Sequence, residues 1–204
     1  MRYHDLPAAD NPVVNTTMLP DRYLITGQFE TPEMFFEKLQ AAFDAGIALA
    51  QFRAPWLEEQ DYQCLARKAS ASSRISGARL LLKGDVRLLA EDWVDGLHLT
   101  RIQLHRLYEN GWRYQGSKLL AASCHSAGEL SRAAWTGCRF ATLSPVRETT
   151  SHIGASPLGI ERAARLTGTA RLPVYWLGGM SEDDEYEAKA AGARGVAGIS
   201  CYWR

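Results

Sequence analysis

The chain has 204 residues, 46% hydrophobic and 23% charged, with 23 basic and 23 acidic side chains and a formal net charge of zero. That length suits one domain with a full core. The balanced charge argues against a nucleic-acid or membrane partner and leaves a small molecule as the expected one. The first segment, MRYHDLPAADNPVVNTTMLP, carries Pro7, Pro12 and Pro20 and no hydrophobic period, so residues 1–20 are expected to form an N-terminal arm or linker. Residues 21–204 are expected to form the folded domain. The cysteines at 64, 124, 138 and 201 have neither C-x-x-C nor zinc spacing and are expected as free thiols in a reducing compartment. With no signal-peptide core and no apolar run of membrane-spanning length, a cytoplasmic location is expected.

From residue 22 onward, β-prone runs alternate with helical patterns. The runs are RYLITG, IALAQFR, ARLLLKG, DGLHLT, KLLAAS, FATLSPV, PVYWLGG and GVAGIS. Between them lie helical stretches such as TPEMFFEKLQAAFDAG, VRLLAEDW, SAGELSRAAWTG and SEDDEYEAKAAGA. Thr31, Ser126 and Ser181 stand at cap positions, and Gly46, Gly137 and Gly192 at stop positions. Strict alternation implies parallel strands, and eight of them imply an α/β fold of the (β/α)8 TIM-barrel type. An open doubly wound sheet is the alternative, weakened because no G-x-G-x-x-G follows the first strand. The barrel is expected to be short, with a truncated or missing last helix, because only CYWR follows the eighth run. Three candidates could then cover the outer face of the last strand: the N-terminal arm, an upstream fused domain, or a second copy of the chain in a homodimer.

Chemistry in such barrels sits at the carboxyl ends of the strands. The seventh and eighth runs end in Gly178-Gly179 and Gly198-Ile199-Ser200. Bare backbone there suits a phosphate, so Gly178, Gly179, Ile199 and Ser200 are candidate phosphate-binding residues; tight turns are the plainer explanation. In the second run Leu49, Gln51 and Arg53 share one face and Ala50 and Phe52 the other. If Phe52 packs against helices, Gln51 and Arg53 point into the barrel mouth as substrate-binding residues. In the third run Leu81 and Lys83 share a face; if that face is inward, Lys83 reaches the mouth beside Arg53 as a substrate-binding residue, and otherwise it is splayed to solvent. His125, in SCHS, is the candidate catalytic acid or base, with a backbone-capping role as the alternative. His98 is expected to be structural, hydrogen-bonded within the barrel. The loop after the sixth run offers Arg147, Thr149, Ser151 and His152 to an anionic ligand.

Taken in order, YLIT, QFR, DGLHL, SCHS, SPV-x-x-T, GGM and GVAGIS resemble the thiamine-phosphate synthase and thiazole tautomerase superfamily over about residues 22–200. The resemblance implies a (β/α)8 barrel. It implies one of two activities: Mg²⁺-dependent joining of a pyrimidine diphosphate to a thiazole phosphate with release of pyrophosphate, or aromatisation of a thiazole phosphate carboxylate. It assigns Gln51 and Arg53 to the pyrimidine diphosphate. It assigns Gly178, Gly179, Ile199 and Ser200 to the thiazole phosphate, Thr149 and Ser151 to the thiazole-binding loop, and His125 to acid/base work. Five positions depart from the synthase pattern. Pro55 replaces a lysine, and His152 replaces the lysine of a Thr-Lys loop. Lys83-Gly84 replaces an Asn-Asp whose aspartate binds Mg²⁺, and Gln103 replaces a second Mg²⁺ carboxylate. Asp85 is the neighbouring carboxylate, on the other face of the strand. The expectation is therefore no metal, with metal-independent tautomerase chemistry first, a non-catalytic binding or regulatory module second, and a synthase with a rebuilt diphosphate site third. The departures and the arm also resemble the divergent domain fused behind Nudix hydrolases.

Overall fold

The computed structural model describes residues 19–149 and 156–204. Eight strands alternate with six α-helices among them: β1 (Arg22–Ile25), α1 (Pro32–Asp44), β2 (Leu49–Phe52), α2 (Glu59–Ile75), β3 (Arg79–Leu82), β4 (Gly96–Leu99), α3 (Arg101–Glu109), β5 (Leu119–Cys124), α4 (Ala127–Thr136), β6 (Phe140–Leu143), α5 (Ile160–Thr169), β7 (Val174–Trp176), α6 (Glu185–Ala190) and β8 (Gly195–Gly198). The strands pair in parallel and in sequence order, and β8 returns to β1 to close the barrel. No described helix is long and apolar enough to cross a membrane.

The helices start and stop where local chemistry requires. Thr31 caps α1 by accepting from the Met34 N–H, Pro32 stands at its first position, and Phe35, Leu39, Ala42 and Phe43 form its buried stripe. Ser126 caps α4, and Gly137 ends it in the left-handed region at φ 93°. Two expected helices are shorter than their patterns. VRLLAEDW yields only a 3₁₀ turn over Val86–Ala90, and SEDDEYEAKAAGA begins as a 3₁₀ turn, Glu182–Asp184, before α6. In the first case β4 begins at Gly96, five residues past Glu91, so the connection has no room for more turns.

The interior follows the two-residue period of the strands. Tyr23, Leu49, Leu81, Leu119, Ala121, Phe140, Tyr175 and Ala197 pack inside the barrel, and Leu19 closes its floor. The Tyr175 hydroxyl donates to the Pro20 carbonyl. Ala50, Phe52, Leu80, Leu82 and Trp176 instead face the helices.

No helix follows β8, as expected, but the tail itself supplies cover at this point. Its main chain turns back at Ile199, whose carbonyl accepts from the Tyr202 and Trp203 N–H groups at 3.1 and 2.8 Å. Trp203 then packs against Phe35, with ring centroids 5.6 Å apart, and its indole N–H donates to the Gln28 carbonyl at 3.0 Å. A Cβ on Gly27 would stand 2.6 Å from this indole, so the ring needs glycine there. Burying a tryptophan this deeply predicts that Trp203→Ala lowers unfolding free energy by about 3 kcal/mol. Urea unfolding checks this; a loss below about 0.5 kcal/mol, the scale of an ordinary surface change, would take the tail out of the core.

Candidate functional site

A cavity of about 880 Å³ opens at the carboxyl ends of the strands. Gln51, Arg53, Lys83, His98, His125, Thr149, Gly178, Gly179, Ile199 and Ser200 all line it. Of the residues picked out by sequence, Ser151 and His152 lie outside the described residues.

The floor is a chain of buried polar groups. Gln51 Nε2 donates to the Tyr23 hydroxyl at 3.5 Å, a long contact. The hydroxyl lies 2.8 Å from His98 Nδ1, and His98 Nε2 lies 3.0 Å from Ser123 Oγ. An amide nitrogen only donates, so the single Tyr23 proton goes to Nδ1. His98 then carries its proton on Nε2 and donates to Ser123, whose own proton is free to turn toward the cavity. Burial, reinforced by the charge of Lys83, lowers the His98 pKa to about 3, so the ring is neutral. His98 is thus the structural histidine expected.

His125 is held differently. Its backbone N–H donates to the buried Glu129 carboxylate at 2.5 Å, and Nδ1 lies 2.7 Å from the Ser144 carbonyl. A carbonyl only accepts, so Nδ1 carries a proton, and in the neutral ring Nε2 carries the lone pair. The local sequence explains the placement. Ser123 and His125 are two apart at the end of β5, so both face inward, and Ser126 starts α4 immediately afterwards.

On the opposite wall Arg53 and Lys83 stand side by side, one step past the Phe52↔Leu82 pair of β2 and β3. Buried hydroxyls hold both backbones. Thr26 Oγ1 accepts from the Arg53 N–H at 2.8 Å and donates to its carbonyl at 3.2 Å. The Tyr62 hydroxyl accepts from the Lys83 N–H at 2.9 Å and donates to the Phe52 carbonyl at 3.2 Å. Burial, and then the charge of Arg53, lowers the Lys83 pKa.

The glycine ends of β7 and β8 have a structural reason beyond any ligand. Gly178 and Gly179 have φ of +93° and +67°, and a Cβ on Gly179 would stand 2.2 Å from the Glu148 carbonyl oxygen. Gly179 therefore lets the β6 loop cross β7 closely, and a Cβ on Gly198 would strike the Cys201 sulfur at 2.0 Å. Arg147 lines the cavity, and its guanidinium also bonds Asp184 and Glu187, each at 2.9 Å.

The positions that the resemblance links to Mg²⁺ do not fit that ion. Gln103 Nε2 donates to the Gly84 carbonyl at 2.9 Å, while its Oε1 accepts from the Thr100 N–H at 2.9 Å and hydroxyl at 3.1 Å in the capping box of α3. The two places are thus joined to each other by a neutral hydrogen bond, and neither offers a carboxylate oxygen, the ligand Mg²⁺ requires. Asp85 is exposed and turned onto Arg87, with bonds of 2.8 and 3.1 Å. Sequence reasoning passed over Thr100, Arg101, Ser123 and Ser144, which also line the cavity. Ser123 could have been found from its two-residue offset to His125.

A closed parallel barrel whose cation-lined cavity lies at the strand carboxyl ends defines the (β/α)8 class of small-molecule proteins. Within that class, residues 22–202 match the family described as thiamine monophosphate synthase, and the chain belongs to that family. A putative thiamine-phosphate synthase 2 of Aquifex aeolicus is 30% identical over 186 residues, covering 90% of this chain and 98% of that protein. A putative thiamine-phosphate synthase of Geobacter sulfurreducens is 32% identical over 180 residues, covering 87% and 84%. The solved thiamine phosphate pyrophosphorylase of Pyrococcus furiosus superposes with a TM-score of 0.72 at 23% identity, covering 88% of this chain and 85% of that one, a likeness of fold.

Proposed function

We propose that the protein binds a phosphorylated thiazole or thiamine-type ligand in the barrel mouth and serves thiamine biosynthesis or salvage, with His125 moving a proton on the thiazole. The observation that carries this is the anchoring of His125: Nδ1–H is occupied by the Ser144 carbonyl, so proton transfer falls to Nε2 of a ring that lines the cavity. In a thiazole tautomerisation, Nε2 would take a proton from a ring carbon, and the imidazolium would return one at a conjugated carbon. The ring becomes aromatic, and the atoms balance with no redox partner and no leaving group. The carboxyl-end backbone of β7 and β8 would hold the phosphate, and Ser123 would donate to a ring heteroatom or carboxylate. Family membership supports the ligand class.

A synthase with a rebuilt diphosphate site is the second reading, favoured by Lys83 beside Arg53. Calorimetric titration with thiazole phosphate, pyrimidine diphosphate and thiamine phosphate, with and without Mg²⁺, separates the two. Thiazole phosphate binding together with conversion of the thiazole phosphate carboxylate supports the first. Formation of thiamine phosphate and pyrophosphate supports the second. Binding without turnover would make the protein a regulatory or carrier module, and no binding of any of the three would end the proposal.

A further inference from the structure

We propose that the wall formed by β2 and β3 is a metal-free phosphoryl-anion site, in which the Lys83 ammonium beside Arg53 replaces a divalent cation. This rests on the reading of the mouth as a site for phosphorylated ligands. Three independent features point to it. The two cations are neighbours, both lining the cavity, and neither side chain has a carboxylate partner among the described residues. Each backbone is clamped by a hydroxyl, Thr26 for Arg53 and Tyr62 for Lys83, so the two side chains start from fixed neighbouring positions at the mouth. Two adjacent, partly buried like charges are costly unless an anion joins them. Finally, the Gln103 amide spans to the Gly84 carbonyl and uses both of its polar ends, which closes the place a carboxylate pair would occupy.

The ligand chemistry follows from the donors. A guanidinium offers two parallel N–H groups to a phosphoryl group, and an ammonium adds a point charge, so a diphosphate end with several anionic oxygens suits both. A divalent ion brought to the same wall would meet the Lys83 charge.

Inorganic pyrophosphate is the probe, measured by calorimetry on the full chain in EDTA and again in Mg²⁺. The expected result is binding in EDTA at least as tight as in Mg²⁺, where part of the pyrophosphate is sequestered as its magnesium complex. Lys83→Met should weaken binding roughly tenfold or more, the worth of one charge-assisted contact, and Lys83→Arg should retain most of it. Pyrophosphate binding only with Mg²⁺, no binding at all, or an unaffected Lys83→Met variant would overturn the proposal. Thiazole phosphate is titrated separately. Its binding alongside Mg²⁺-dependent pyrophosphate would remove this inference and leave the functional reading. Metal-free pyrophosphate binding without thiazole phosphate binding would do the reverse.

Discussion

Replacing His125 with asparagine is expected to lower turnover of a thiazole phosphate carboxylate by about 10²–10⁴-fold, the usual contribution of a positioned acid or base. Asparagine is the informative choice because its amide N–H can still donate to the Ser144 carbonyl, as His125 Nδ1 does at 2.7 Å. The bond that orients the residue is therefore kept, and only the ability to accept and return a proton is lost. Ligand affinity should change little, so the loss should appear in kcat rather than KM. A slower variant whose affinity falls in step would make His125 a binding contact. A variant with full turnover would return it to a structural role, in which Glu129 and Ser144 fasten the start of α4.

Stability is expected to fall as pH drops below about 6.5, because folding holds the buried His98 ring neutral. The folded pKa of about 3 lies below the ordinary histidine value of about 6.5. Between those values the unfolded chain takes up a proton that the folded chain refuses, so unfolding is favoured as acid is added. Above pH 6.5 the contribution is fully present, and below about pH 3 both states are protonated and the slope ends. Several kcal/mol, of order 5, are at stake across the window. Carboxylates begin to titrate only toward the lower end, so the decline between pH 6.5 and 5 is the part diagnostic of a histidine. Urea unfolding at stepped pH measures it. His98→Gln should be less stable at neutral pH, having lost the fitted contacts to Tyr23 and Ser123, and should show a flatter profile. An identical slope in that variant would show that the acid sensitivity resides elsewhere.

Much of the fold is legible in the residues alone, for reasons of period. Leu49, Gln51 and Arg53 alternate with Ala50 and Phe52, and once Phe52 needs a helix to pack on, the side that reaches the mouth is decided. The same rule places Lys83, and the caps at Thr31 and Ser126 mark two of the helix starts. Membership of the thiamine monophosphate synthase family was likewise readable from ordered short motifs. Other features depend on contacts between distant residues. The glycines at 178 and 179 look from sequence like a phosphate cradle, yet Gly179 is also required by the Glu148 carbonyl passing 2.2 Å from where its Cβ would be. Arg147 looks from sequence like an anion contact alone, and only the fold brings Asp184 and Glu187, more than 35 residues away, beside it. CYWR looks too short to cover the last strand, and only its turn at Ile199 brings Trp203 onto Phe35. The tautomer of His125 depends on a carbonyl from the next strand, and the Gln103–Gly84 bond on a side chain reaching back from α3 to the end of β3. A side chain's facing is a local property of the backbone, so sequence alone determined it. Which groups satisfy that side chain is a property of chain closure, so only the tertiary structure decided it.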